Sequence, residues 1–221
     1  MSEDKVLGNS APSPQRFLVV IAVVAGFAIA GVHELTRPWV AEQRATLLGR
    51  SVLDVLPEAV TFEAYRLRTD GSLERIEEPD AAALFLGRDA DGRVAGVAIP
   101  ASGFGYQDRI GLVYGLDPEQ RRLLGMRVLE SRETPGLGAR IADDAAFLES
   151  FVSLELSLDD AGRPRPLRIA ATAPAGPGEI DAITGATVSV RAVARIISES
   201  LSEWLQRLQG LDFHLEEPGD G

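Results

Sequence analysis

The sequence predicts an α+β domain preceded by one N-terminal membrane helix, and three stretches of its 221 residues carry that reading. Phe17 through Val32 contains no charged residue. Two strand–turn–strand patterns follow in the middle of the chain, and one amphipathic helix comes near its end. Hairpins in the middle with helices at either end are the pattern of an α+β architecture, not of alternating βα units.

Taken in order, the charge-free stretch reaches about 24 Å at the helical rise, a little short of the roughly 30 Å hydrocarbon core of a bilayer. Including His33 to Leu35, with Arg16 and Arg37 reaching toward the headgroups, makes the span sufficient. Trp39 offers an interfacial anchor. Residues 17–35 are therefore expected to form a transmembrane helix after an N-terminal segment 1–16. The rival is a cleaved signal peptide ending at Ala28-Ile29-Ala30. The apolar run exceeds the usual h-region of about 7–15 residues, which favours a retained anchor. Lys5 and Arg16 precede the span while Arg37, Arg44 and Arg50 follow it, so charge alone does not orient it.

Residues 38–57 read as a connecting helix, with Val40, Leu47, Leu48, Val52, Val55 and Leu56 apolar and Pro57 as the stop. Residues 58–208 then carry the folded domain. Its first hairpin pairs Ala83–Leu86 with Arg93–Ile99 across a turn at Asp89–Gly92. The second pairs Ile110–Leu116 with Leu123–Leu129 across Asp117–Gln120. Each ends in a Gly-apolar-Gly segment, 103–105 and 136–138, hinting at a short internal repeat. Asp144–Val152 is expected to be helical, and Leu154–Leu158 and Leu167–Ala170 to be short strands. Pro174–Gly178 is a loop delivering the chain to the last helix. There Val193, Ile196, Ile197, Leu201, Trp204, Leu205 and Leu208 form one apolar stripe, with Arg191, Arg195, Glu199, Glu203 and Arg207 opposite. Gly210 is a stop signal, and residues 209–221 form an acidic, flexible tail.

Composition bounds the chemistry. The chain has no Cys, which excludes disulfides, iron–sulfur clusters and thiolate zinc sites. His33 and His214 lie near opposite ends of the sequence without ligand-like neighbours, so no metal site is expected and no catalytic constellation stands out. A redox role would need an organic cofactor. A net charge of −11 argues against nucleic acid as a partner. The acidic run Glu74-Glu77-Glu78-Asp80 reads as a solvated face.

Three motifs remain. Asp181-Ala182-Ile183-Thr184-Gly185-Ala186-Thr187-Val188-Ser189 places a Thr-Gly-Ala-Thr turn directly before the final helix. A hydroxyl there sits beside the unpaired N–H groups of a helix start, where an anion is welcome. A phosphate on Thr187 would be held without a metal or an Arg clamp. Equally, Thr184 or Thr187 could be a plain N-cap. Glu133-Thr134-Pro135-Gly136-Leu137-Gly138 places Pro-Gly at the centre of a type II turn, and Gly138 permits close backbone approach to something flat. Gly103-Phe104-Gly105-Tyr106, followed by Ile110, has the same character. Either segment alone reads as a hairpin loop needing positive φ.

In this order, Gly-x-Gly-Tyr-x-x-x-Ile at 103–110, Glu-Thr-Pro-Gly-Leu-Gly at 133–138 and Asp-x-x-Thr-Gly-Ala-Thr at 181–187 resemble the FMN-binding domain of the G component of Rnf electron transport complexes. That family is related to the C component of the sodium-pumping NADH:quinone reductase, and the resemblance spans residues 17–208. It implies FMN held covalently through a phosphoester on Thr187, with Thr184, Gly185, Ala186, Ser189 and Asp181 around the attachment point. It also implies that Glu133 to Gly138 and Tyr106 border the isoalloxazine ring. Glu133 either accepts a hydrogen bond from the flavin or holds the loop closed. A separate flavin transferase would load the cofactor, with iron–sulfur and integral-membrane subunits as partners. The domain would lie on the periplasmic side of the inner membrane. Two positions depart from the family pattern: Val190 follows Ser189 where a second hydroxyl is usual, and Ser131-Arg132 stands where the Rnf branch commonly has a His. The alternatives are the quinone-reductase component, or an anchored binding module without flavin.

Overall fold

A computed structural model describes residues 14–68, 72–77, 83–171 and 176–208 of the chain. The expected acidic tail at 209–221, residues 1–13 and the first two residues of the Pro174–Gly178 loop lie outside these residues. Two compact units are present, Met1–Thr46 and Leu47–Gly221.

Helix α1 runs unbroken from Pro14 to Val55, so the segments expected at 17–35 and 38–57 form one helix. Helix geometry continues through position 38 although proline withholds one backbone N–H. Within α1, Gln15–Arg37 is long and apolar enough to cross a membrane, and none of its most apolar window is buried. The folded domain begins inside α1, at Leu47, eleven residues before the expected boundary at 58.

The domain is built on a seven-stranded, wholly antiparallel sheet. Its strands are β1 (Thr61–Leu67), β2 (Leu73–Arg75), β3 (Ala83–Arg88), β4 (Val94–Phe104), β5 (Arg109–Asp117), β6 (Arg122–Glu130) and β7 (Leu154–Glu155), in the spatial order β2-β1-β3-β4-β5-β6-β7. Both expected hairpins are present, as β3–β4 and β5–β6, each a few residues longer than the apolar pattern indicated. A short helix α2 (Ala145–Glu149) lies within the expected 144–152 and is capped by Asp144, whose side chain accepts the Phe147 N–H. The segment expected as a strand at Leu167–Ala170 contributes only Arg168–Ile169 as β8. It pairs in parallel with β9 (Glu179–Ile180), apart from the main sheet. The last helix, α3, spans Thr187–Leu208.

Both faces of the sheet are covered, which is why its central strands read as nearly continuous apolar runs instead of alternating ones. One face packs against α3 and α2: Ile99, Leu112, Tyr114 and Met126 meet Val193, Ile197, Leu201 and Phe147. Tyr114 also shares a 2.9 Å hydrogen bond with Ser200 of α3. The other face receives the last turns of α1, where Val52, Val55 and Leu56 are fully buried against Phe85, Ala98, Val113 and Leu124. Gly115 makes this approach possible, because a Cβ there would collide with the Val55 carbonyl. Opposite it in β6 is Gly125, so a notch two strands wide receives the helix end.

Candidate functional site

The three sequence motifs, distant from one another in the chain, meet at one open cavity of about 320 Å³ at the start of α3. Its lining comprises Tyr106, Glu133, Thr134, Leu137, Gly138, Gly185, Ala186, Thr187, Val188 and Ser189. The β4–β5 loop delivers Tyr106, the segment after β6 delivers Glu133, Thr134, Leu137 and Gly138, the turn before α3 delivers Gly185 and Ala186, and the first turn of α3 delivers Thr187, Val188 and Ser189.

The segment after β6 is shaped as its sequence requires. Leu137 N–H donates to the Thr134 carbonyl at 3.1 Å, and Gly136 has φ +76°, the conformation of the third residue of a type II turn. This turn points Pro135 and Gly136 outward, so neither lines the cavity, while Leu137 folds back against Gly185. The loop at 103–105 departs from expectation: Gly103 and Gly105 do not have positive φ and are, like Gly138, places of close approach, to protein side chains. A Cβ on Gly138 would stand 2.7 Å from Glu133 Oε2, and one on Gly103 would stand 2.6 Å from Ile196 of α3.

At the turn before α3, Val190 N–H donates to the Ala186 carbonyl at 2.9 Å, which makes Ala186 the capping residue of that helix. Alanine offers no side-chain acceptor. The backbone N–H groups of Thr187, Val188 and Ser189 have no acceptor among the described residues. Thr187 is exposed, and its hydroxyl has no hydrogen-bond partner among those residues either. Neither threonine therefore acts as the N-cap. Thr184 is exposed outside the cavity, and its carbonyl accepts from the Arg140 guanidinium at 3.3 Å. The half-buried Asp181 also stays outside the lining, and its backbone N–H donates to Ser150 Oγ at 3.2 Å.

Ser189 behaves differently from Thr187, two positions away. It is 2% exposed and donates to Glu133 Oε2 at 2.6 Å. Glu133 is itself 4% exposed, and its Oε1 accepts the backbone N–H groups of Tyr106 at 2.8 Å and Gln107 at 3.0 Å. Burial pushes the Glu133 carboxyl up, but the donors Ser189, Gln107, Tyr106 and Asp108 outweigh it and hold the group below its ordinary value. Glu133 is thus an ionised carboxylate with both oxygens engaged by protein donors.

The outer wall of the cavity is apolar and accessible: Tyr106 is 68% exposed, Leu137 49% and Val188 52%. Sequence reasoning did not single out Val188, which was an apolar residue at a helix start and carried no other signal. Nor did it single out Arg140, whose i,i+4 pair with Asp144 looks like any surface ion pair. These residues fit a phosphorylated aromatic cofactor: free N–H groups and a free hydroxyl for the phosphate, and apolar side chains for a flat ring.

Comparison with known proteins points the same way. A model of the FMN-binding domain matches residues 105–202. The G component of the ion-translocating oxidoreductase complex of Pseudomonas aeruginosa is 31% identical over 195 residues, covering 83% of this chain and 84% of that protein. Its counterpart in Methanosarcina acetivorans is 29% identical over 179 residues, covering 80% and 85%. The G component of the Na(+)-translocating ferredoxin:NAD(+) oxidoreductase complex of Acetobacterium woodii is 26% identical over 193 residues, covering 83% and 86%. Among solved structures, Shewanella oneidensis NqrC superposes with a TM-score of 0.59 at 20% identity, covering 75% of this chain and 99% of that one, a likeness of fold.

Proposed function

The chain belongs to the G-component family of ion-translocating oxidoreductase complexes, electron-transfer proteins with an FMN-binding domain, and on that footing we propose that it carries FMN as a phosphoester on Thr187. The observation that carries this reading is the exposed Thr187 hydroxyl, beside three N–H groups, all without hydrogen-bond partners among the described residues, on a cavity built by all three motifs.

Each part of the chain has a defined task. The first N–H groups of α3 receive the phosphate charge, which the positive end of the helix dipole favours. The Arg140 guanidinium, fixed on the Thr184 carbonyl and paired with Asp144, holds the attachment turn. Tyr106, Leu137 and Val188 offer the ring an apolar surface that stays open to redox partners. FMN supplies the electron chemistry. A covalent link suits this open site, since equilibrium binding must overcome about 4–15 kcal/mol of lost translational and rotational freedom. On a shallow cavity of about 320 Å³ little contact area offsets that loss.

In this reading Gln15–Arg37 anchors the chain as a single pass in the inner membrane, with the flavin domain on the periplasmic side. A flavin transferase loads Thr187. Integral-membrane and iron–sulfur subunits of an Rnf-type translocase exchange electrons with the domain and couple flow between ferredoxin and NAD to ion transport. The relatives' names favour the G component of that translocase over the C component of the quinone reductase, because the likeness to NqrC is one of fold.

The test is intact mass and in-gel fluorescence of the full-length protein made together with the transferase. Thr187→Ala should abolish covalent flavin, whereas Thr187→Ser, which keeps a hydroxyl at the same place, should retain it. Flavin still attached in Thr187→Ala would sink the assignment.

A further inference from the structure

Glu133 joins three segments that are distant in the chain. It sits at the start of the Thr134–Leu137 turn, receives the N–H groups of Tyr106 and Gln107 from 27 and 26 residues upstream, and receives the Ser189 hydroxyl from 56 residues downstream. The packing around it is cut to fit. Gly138 would bring a Cβ within 2.5 Å of Ser189 Oγ, and Gly105 would bring one onto Glu133 Oε1. These two glycines leave room for the carboxylate where any larger residue would displace it. The Tyr106 ring is exposed, and among the described residues its hydroxyl has no partner; the hydrogen bond that fixes this residue is the one from its backbone N–H to Glu133. Thr187 likewise owes its place to the first turn of α3, which the buried Ser189–Glu133 bond fixes.

We propose that Glu133 is the positioning residue of the flavin site: it is a buried clamp that holds Tyr106 and the Thr187 turn on two sides of one cavity, and its carboxylate engages protein donors instead of the cofactor. This proposal rests on the assignment of Thr187 as the flavin-bearing residue. A second tie between the same elements, from Arg195 to the Phe104 carbonyl at 2.8 Å with Ile196 against Gly103, lies one to two turns further along α3. Loss of the clamp therefore loosens the cavity and leaves the domain folded.

The clamp is tested first without flavin. Full-length protein carrying Thr187→Ala, shown flavin-free by mass, is compared by amide hydrogen exchange with the same protein bearing Glu133→Ala or Glu133→Gln. Glu133→Ala should speed exchange at Tyr106 and Gln107 about tenfold or more, the loss of hydrogen bonds to a charged acceptor. Glu133→Gln, whose amide oxygen still accepts from both N–H groups, should speed it less, and the amides of β5 and β6 should keep their rates. In flavin-loaded protein with Thr187 intact, Glu133→Ala should change the visible circular dichroism of the flavin, and Glu133→Gln should restore most of it. Unchanged exchange at Tyr106 and Gln107 in Glu133→Ala overturns the proposal, as does unchanged dichroism. Faster exchange together with a Thr187 protein that never acquires flavin supports the clamp and overturns the attachment reading alone.

Discussion

Thr187 and Ser189 stand two positions apart on α3 with opposite surroundings, and the difference decides their chemistry. One hydroxyl is exposed without a partner among the described residues; the other is buried and commits its proton to Glu133. Sequence reasoning could pick out both as hydroxyls near a helix start, but it could not tell which one is left exposed and which is buried on the carboxylate. That depends on Glu133 arriving from the segment after β6. The same limit applies at Glu133, where two roles stayed open until the donors around its oxygens were known. Ser189→Ala follows from this geometry: it removes one donor from a buried carboxylate and should cost about 1–3 kcal/mol in unfolding free energy. Urea denaturation of the flavin-free protein measures it, and a cost near zero would mean that the two backbone N–H groups satisfy Glu133 alone.

Among the elements, those that were legible announced themselves by local pattern. α3 has a long amphipathic stripe, and the hairpins β3–β4 and β5–β6 have polar turns between apolar runs. Strand β1 was not legible, because Glu63 and Arg66 interrupt its apolar residues and its place in the sheet comes from pairing with β2 and β3 on either side. Strand β8 lies within the expected Leu167–Ala170, but its two-residue partner β9 and their parallel pairing carry no local signal, being ordered by a long-range contact. The glycines of the sheet show how a non-local need can look like a local one. Gly115 is in a strand interior, where glycine is unfavourable, and its purpose is to admit the end of α1. Gly115→Ala places a methyl against the Val55 carbonyl and should destabilise the domain by about 1–3 kcal/mol. Gly125→Ala, whose Cβ would stand 3.4 Å from Val55 Cα, should cost clearly less. Thermal unfolding of the two variants side by side decides whether the notch is as tight as the backbone indicates.

For the molecule as a whole, the sequence pattern placed a boundary at Pro57, the residue that stops a helix, and packing places it elsewhere. Helix continuity and domain membership are separate questions. α1 is one helix by backbone geometry, yet its residues from Leu47 onward belong with the sheet. The reason is the second face of the sheet: Phe85, Ala98, Val113 and Leu124 have Val52, Val55 and Leu56 as their cover. Burying three aliphatic side chains is worth about 1.5–3 kcal/mol each. Their sum is comparable with the whole stability of a typical domain, roughly 5–15 kcal/mol. A chain spanning residues 47–221 should therefore fold, with a cooperative thermal transition and the amide protection of a closed core. One spanning residues 58–221 keeps every flavin-site residue but exposes the uncovered face, and should aggregate or lose its cooperative transition. Near-ultraviolet circular dichroism and calorimetry of the two chains make the comparison. Equal stability would show that the end of α1 merely rests on the sheet, and would return the domain boundary to the proline where the sequence pattern first put it.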